Sequence, residues 1–309
     1  MPDIVTLTMN PALDVTTFAD AIVPTKKLRC TEPFYDAGGG GVNVAKVARV
    51  LGASAAAVYP AGGVRGEQMS GLLDDDDVEE CIVTIADDTR ECFTAIDSTS
   101  GLEYRFVTPG PVLTAAEQER CLEALVKAAS DAKFVVASGS FPPGVPGTFV
   151  RRIARAAADV GARFVLDSSG DALASIDSGV HLVKPSLDEL CEWVGRDLPG
   201  APERIAAARE LVTRGITEIV VVSLGGDGAI MVTADEAVTV PALDVEVRSA
   251  VGAGDSMVAG LVVGLLQERS LRDALALGIA SATAALLTAG SHVCKREDID
   301  RFDALAREL

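Results

Sequence analysis

From Thr114 onward the chain alternates helical stretches with short runs of β-branched and apolar residues: KFVVASGS, ARFVLDSSG, HLVKPS and EIVVVSLGG. These runs have the composition of strands covered on both faces, and their alternation with helices predicts an α/β fold around a mainly parallel sheet. Several of them end in small polar residues or glycine. Open α/β sheets gather ligands beyond the carboxyl ends of their strands. The pattern therefore places Ser138, Asp167, Lys184 and Ser223 along one edge. After Ala250 the chain reads as mostly helical to its end.

The first third is more varied. Met1 to Met9 reads as a buried strand, and the glycine run Gly38 to Gly41 leads into an amphipathic helix, VNVAKVARVL. Two segments, about 12–37 and about 90–108, instead mix short alternating stretches with turn residues, and ECFTAIDSTSGLEYRFV has the form of a hairpin. Together they predict a small accessory sheet inserted into a single domain spanning residues 1–309. With 49% hydrophobic residues the chain is long enough for one large core, and it shows no internal repeat or low-complexity linker.

A formal net charge of −18 argues against nucleic-acid binding and against docking on an anionic membrane. Screening makes local cations decisive for a small anion, and the candidates are Lys26, Lys27, Arg29, Arg90, Arg105 and Lys184. The six cysteines are widely spaced and read as buried thiols of a reducing compartment. The N-terminal PDIVTLTMNPALD lacks a basic, apolar leader, and no stretch has transmembrane length, so a cytoplasmic protein is expected. The run Asp74 to Asp77 reads as a solvated helix end or turn.

The sharpest chemical signal is RSAVGAGDSMVAGLVVGLL. Gly252 and Gly254 allow close backbone approach, and a helix start offers unpaired N–H groups and partial positive charge to an anion. In phosphoryl transfer those amides hold the equatorial oxygens, while Asp255 accepts the proton of the attacking hydroxyl. The same residues also suit a glycine-rich turn with Asp255 capping the helix. In YDAGGGGVNVAKVARVL, exposed glycine backbone and Asn43 suit sugar hydroxyls, and a flexible turn before a packed helix is the alternative. The dinucleotide spacing is incomplete. Asp14 is a paired acceptor for hydroxyls or a turn cap. Arg90 and Arg105 suit a phosphate clamp or the surface. Lys184 ends an apolar strand before Pro185. SLGGDGA suits a nucleotide phosphate or a tight turn. Only His181 and His292 are present, without metal-ligand spacing, and no Walker sequence occurs.

Taken together, MNPALD, GGGGVNVAKVARVLG, SGSFPPGV, DSSG, LVKPSLDE, VVVSLGGDGA and VGAGDSM stand in the order seen in the ribokinase-like PfkB family of carbohydrate kinases. The resemblance covers nearly the whole chain. Within that family it is most similar to the ATP-dependent 6-phosphofructokinases of PfkB type, with fructose-1-phosphate and tagatose-6-phosphate kinases as near relatives. It implies a three-layer ribokinase-like α/β fold with a small β-sheet lid that commonly forms a homodimer interface.

The resemblance also implies roles by position. Asp255 is the base, and the amides of Gly252, Ala253 and Gly254 form the anion hole. Asp14, Gly39 and Asn43 hold sugar hydroxyls, while Arg90, Arg105 and Ser138 contact the phosphate already on the sugar. Lys184, Ser186, Ser223, Gly225 and Gly228 line the ATP site, and Lys27 reaches a nucleotide across a dimer interface. Glu189 serves Mg²⁺, through water. A monovalent-cation (K⁺) site falls at Ser249, Val251, Ala285 and Gly290.

One departure stands out. The family has Asn-x-x-Glu where this chain has Ser186-Leu187-Asp188-Glu189, which puts Mg²⁺ handling in question. The expected reaction is transfer of the ATP γ-phosphoryl group to the C1 hydroxyl of fructose 6-phosphate. The alternatives are a 1-phosphofructokinase or tagatose-6-phosphate kinase, and a catalytically weak sugar-phosphate-binding regulator.

Overall fold

In the computed structural model, residues 1–73, 76–288, 290 and 292–309 are described. The chain opens with β1 (Ile4–Leu7), β2 (Ala12–Ala19), β3 (Phe34–Gly38), α1 (Gly40–Val50), β4 (Ala55–Ala61), α2 (Gly63–Leu73) and β5 (Glu79–Thr84). It continues with β6 (Arg90–Asp97), β7 (Glu103–Val107), α3 (Ala115–Ala128), β8 (Phe134–Ser138), α4 (Phe149–Asp159) and β9 (Arg163–Asp167). Next come α5 (Gly170–Ala174), β10 (Val180–Val183), α6 (Leu187–Val194), α7 (Ala201–Thr213) and β11 (Thr217–Ser223). The last elements are β12 (Ala229–Val232), β13 (Ala237–Val240), α8 (Ala253–Leu266), α9 (Leu271–Ala285) and α10 (Arg296–Glu308).

The main sheet has nine strands in the order β13-β12-β11-β10-β9-β8-β1-β4-β5. All pairings from β11 through β5 are parallel, while β12 and β13 add an antiparallel edge. Successive strand residues feed opposite cores because side chains alternate across a sheet. Phe134 and Val136 join one core with α1, α8, α9 and α10; Val135 and Ala137 join the other with α3, α4, α6 and α7. This is the expected three-layer α/β arrangement. Each helix presents apolar residues on the side facing the sheet, as Cys121, Leu122 and Leu125 do in α3, whose start is closed by a capping box between Thr114 and Glu117.

The second sheet has four strands, ordered β3-β2-β6-β7. Its segments coincide with the two that broke the strand–helix rhythm. β6 and β7 form the expected hairpin, and β2 joins it by a parallel pairing with β6. Opposed residues share a face. Val15, Tyr35, Phe93, Tyr104 and Phe106 stand on one, and Asp14, Asp36, Cys92, Thr94 and Arg105 on the other.

Two sequence expectations change. Among the cysteines, all free, only Cys121 and Cys294 are buried, whereas Cys30 is exposed and Cys81, Cys92 and Cys191 are half-buried. Cysteine sits inside mainly when its strand or helix face does, and four of these positions lie on sheet edges, the accessory sheet or helix flanks. The acidic run falls partly outside the described residues at Asp74 and Asp75; Asp76 pairs with buried Lys46 at 3.3 Å, and Asp77 with Arg49. No helix among the described residues is long and apolar enough to cross a membrane.

Candidate active site

The site assembles where the carboxyl ends of β8, β9, β10 and β11 meet the N-termini of α1 and α8. Gly252 precedes α8 in a left-handed conformation (φ 74°, ψ −2°) that a side chain would strain, and this turn aims the first-turn carboxylate at the sheet edge. Asp255 Oδ2 accepts a hydrogen bond from Asn43 Nδ2 at 2.9 Å, and Oδ1 accepts one from Ser138 Oγ at 3.3 Å. Asn43 can reach because the glycine run lets α1 sit against the end of β8: a Cβ at Gly40 would collide with Ser138 Oγ. Thr8, just beyond β1, fixes the same helix start, its Oγ1 accepting from Val42 N at 2.8 Å.

A second carboxylate lies beside the first. Asp167 ends β9 and pairs with Lys184 Nζ at 3.0 Å, and Ser138 Oγ stands 3.5 Å from Asp167 Oδ2. Lys184 is buried at 7% exposure. Burial pushes the Asp255 carboxyl up to about 7, the negative charge of Asp167 adding to it, while Asn43, Lys184 and Ser138 pull the other way. Burial likewise raises Asp167 against the opposing pull of Lys184. On Lys184 itself burial works downward, yet Asp167, Asp255 and Glu189 together hold its pKa above the usual lysine value. One ammonium thus serves several acids, and a partly protonated carboxyl group results near neutral pH.

Beyond this cluster a cavity of about 670 Å³ opens between the β11 end and α8. It is lined by Ser223, Gly225, Gly228, Ala253 and Gly254, with Val245, Ile279 and Leu286 forming an apolar wall. Ser223, Gly225 and Gly228, which the resemblance assigned to the nucleotide, therefore share one space with Ala253 and Gly254 of the anion hole. SLGGDGA forms the tight turn of one of its two readings, Gly225–Asp227 leading from β11 to β12, and its Ser223, Gly225 and Gly228 also line this cavity. Ser186 lies beside Ser223 in a parallel bridge. It caps α6, its Oγ accepting from Glu189 N at 3.2 Å while Glu189 Oε2 accepts from Ser186 N at 2.8 Å. Lys27 stands exposed on the loop after β2, apart from this cavity.

The polar face of the accessory sheet closes a second, smaller cleft with the body. Asp14, Cys92, Thr94 and Arg105 line it opposite Val251 and Gly290. Asp14 lies directly over Gly38, leaving no room for a side chain there. Arg90 differs from its expected partner Arg105: its guanidinium already donates to backbone carbonyls, to Asn10 O at 2.8 Å, Thr108 O at 3.0 Å and Pro11 O at 3.3 Å. Val251 also borders, with Ala285, a cavity of about 10 Å³, room for a single water or ion. The Ala285 carbonyl accepts from Thr288 N at 3.0 Å and from Thr288 Oγ1 at 2.8 Å.

A nine-stranded, mainly parallel sheet with a four-stranded side sheet, and an acid at a glycine-led helix start whose turn borders both a nucleotide-sized cavity and a polar cleft, suit a sugar kinase. Residues 7–298 match the profile described as pfkB family carbohydrate kinase. The chain belongs to that family. A relative from Mycobacterium tuberculosis, an ATP-dependent 6-phosphofructokinase isozyme 2, is 48% identical over 99% of this chain and 91% of its own. A 1-phosphofructokinase from Haloferax volcanii is 36% identical over 96% of this chain and 95% of its own. Among solved structures, phosphofructokinase-2 from Escherichia coli in complex with substrates and products superimposes with a TM-score of 0.94 at 39% identity, covering 98% of this chain and 99% of that one.

For a pfkB family kinase the sequence reading left three residues without a role. Asp167 was placed on the ligand edge but given no task; its ion pair with Lys184 could not be seen without the strand order. Asn10 is buried and donates from Nδ2 to Ser140 Oγ at 3.2 Å. Ser140 is exposed, two positions beyond Ser138 and past the left-handed Gly139 (φ 99°) that follows β8.

Proposed function

We propose that the chain transfers the γ-phosphoryl group of ATP to the C1 hydroxyl of fructose 6-phosphate, giving fructose 1,6-bisphosphate and ADP. The observation that carries this reading is that Asp255, held by Asn43 and Ser138, directly follows Ala253 and Gly254, which line the nucleotide-sized cavity, and comes four residues after Val251, which lines the cleft containing Asp14 and Arg105. A carboxyl group pushed up to about 7 is matched to accepting a proton near neutral pH. The C1 hydroxyl gives its proton to Asp255 as its oxygen attacks the γ-phosphorus, and the bond to the ADP oxygen breaks. The backbone at Gly252, Ala253 and Gly254, with the helix start behind it, stabilises the charge on the transferring group. Lys184, Ser186, Ser223, Gly225 and Gly228 belong to the nucleotide side, and Asp14, Gly39 and Asn43 to the sugar hydroxyls. Lys27, on its exposed loop, reaches a nucleotide only in a dimer.

For Ser138, expected to contact the sugar's phosphate, we propose a different role. Its hydroxyl stands between two carboxylates, where a phosphate dianion would be repelled, so it holds the base. The hydroxyl for the sugar's phosphate is then Ser140, with Arg105 and the remaining N–H groups of Arg90. Among the described residues no cluster of three or more acids, histidines or cysteines is set to hold a metal. Mg²⁺ keeps waters and rests on one or two carboxylates plus phosphates; Glu189, through water, and Asp167 would hold it. When bound it neutralises charge on the phosphates. For K⁺ we keep Ser249, Val251, Ala285 and Gly290, of which Val251 and Ala285 border the same ion-sized cavity, the Ala285 carbonyl already accepting from Thr288 N and Oγ1.

The accessory sheet turns its polar face inward and shows Phe93, Tyr104, Phe106 and Tyr35 to solvent at 37%, 38%, 59% and 39% exposure. We read that face as the homodimer contact and the sheet as a lid within a single kinase domain of the cytoplasm. A panel tests the reaction: MgATP with fructose 6-phosphate, fructose 1-phosphate, tagatose 6-phosphate and unphosphorylated sugars, with the phosphorylated carbon identified. Turnover of ribose or adenosine without any ketohexose phosphate would overturn the assignment. The 36% identical 1-phosphofructokinase keeps C6 phosphorylation of fructose 1-phosphate as the second reading.

A further inference from the structure

The lid joins the body at four places: before β2, after β3, before β6 and after β7. The crossing after β3 is the glycine run. The other three meet at one side chain. Arg90 is the first residue of β6, and its neighbour Thr89 is fastened to the body, its N–H donating to Gly62 O at 2.9 Å and its Oγ1 accepting from Gly62 N at 3.1 Å. From this anchored base the guanidinium spans to Asn10 O and Pro11 O, which lead into β2, and to Thr108 O, which follows β7. The two connecting segments it ties are also packed on each other, because Gly110 lies against the Asn10 side chain too closely for a Cβ.

We propose that Arg90 is the latch of the lid hinge, a positioning residue that sets the angle of the lid before any substrate arrives. An arginine has five N–H donors in a rigid fork, and three are used here on carbonyls, so two remain for an anion. Those two let the same guanidinium take a phosphate without releasing the hinge. Asn10 extends the connection to Ser140 Oγ, on the loop that follows Ser138. An anion bound by Arg90 and Ser140 is thereby coupled to the backbone that aims Asp14 and Arg105 into the cleft. Lysine keeps the charge but, as a point donor on a flexible stem, cannot hold three carbonyls in one plane.

This inference rests on the reading of the small sheet as a lid over a sugar phosphate, but its first test needs no sugar. Hydrogen–deuterium exchange is followed in the ligand-free protein for wild type, Arg90→Lys, Arg90→Gln and Arg105→Lys. Amides of β2, β6 and β7 exchange about tenfold faster in both Arg90 variants and unchanged in the Arg105 variant, while body strands β8 and β9 keep wild-type protection. Lid exchange equal to wild type in Arg90→Lys overturns the latch, whatever sugar is the substrate.

The second test is kinetic, on the sugar phosphate that the panel identifies. Arg105→Lys, which loses a contact to the substrate, raises KM and leaves kcat within about twofold. Arg90→Lys lowers kcat at saturating sugar phosphate by about tenfold, because the lid stays misaligned even when the site is filled. If Arg90→Lys raises KM alone, Arg90 is an anion contact and nothing more.

Discussion

The nine-stranded and four-stranded sheets solve opposite problems. The large sheet buries both faces, so its polar chemistry can stand only at the strand ends, where Ser138, Asp167, Lys184 and Ser223 emerge. The small sheet inverts the usual order, turning Asp14, Thr94 and Arg105 toward the body and Phe93, Tyr104 and Phe106 toward solvent. A sheet that faces its polar side inward is not packing a core. In the proposed function, its polar side would enclose the ligand and its apolar side would meet a partner, leaving the chemistry to the body.

The division is broken most directly at the body's acid. Asp255→Asn should lower turnover by at least about 100-fold while sugar binding, measured by calorimetry, survives. Near-normal turnover would remove Asp255 from the mechanism. Because the wild-type carboxyl group sits at about 7 and must be ionised to act, kcat/KM should fall as pH drops through that value.

Packing offers the next contrast. A Cβ at Gly260 would stand 2.5 Å from Leu277 O and 2.6 Å from Ser281 Oγ, so Gly260→Ala should force α8 from α9. A loss of about 1–3 kcal/mol in urea unfolding is expected, with no effect on oligomeric state. On the lid, Phe106→Ser should do the reverse. It should weaken dimerisation by about 30-fold in sedimentation, as for loss of a central aromatic contact, and leave monomer unfolding within about 0.5 kcal/mol. A wild-type chain that sediments as a monomer at every concentration would end the lid-dimer idea.

Charge strain in the body gives a smaller signal. A carboxyl group whose folded value is raised from 3.8 to about 7 binds its proton more tightly when folded. Its favourable contribution is present below 3.8 and lost as pH rises through about 7. Asp255→Asn should therefore melt higher than wild type at pH 8, by about 2–4 °C for each kcal/mol regained, and match it below pH 4. The smallest effect is expected at Ser186→Asn. Asparagine caps a helix as well as serine, so stability should stay within about 0.5 kcal/mol. The Mg²⁺ concentration for half-maximal rate should shift, and an unchanged requirement would detach Ser186 from metal handling.

Legibility followed the same division. Strands β8 to β11 were plain because continuous apolar runs have few other uses, and the hairpin of β6 and β7 was plain from its turn and alternation. Strand β5 left little trace, since an edge strand carrying Glu79 and Glu80 with a half-exposed face looks like surface. At the site, Asp255, Asn43 and Lys184 were candidates from local pattern alone. Their mutual contacts were not, because Asn43 and Asp255 are 212 residues apart and meet only through close packing of α1 on β8. Ser138 and Ser140 could not be told apart until their neighbours were known.

By itself, the amino-acid sequence determined the fold class, the ligand edge and the helix start that carries the acid, because periodicity and glycine placement act over a few residues. The tertiary structure decided which groups meet there. Burial and neighbouring charge, which depend on residues distant in the chain, lift Asp255 toward neutral pH, and packing sets Ser138 beside Asp255 and Asp167 and gives Arg90 the carbonyls of Asn10, Pro11 and Thr108.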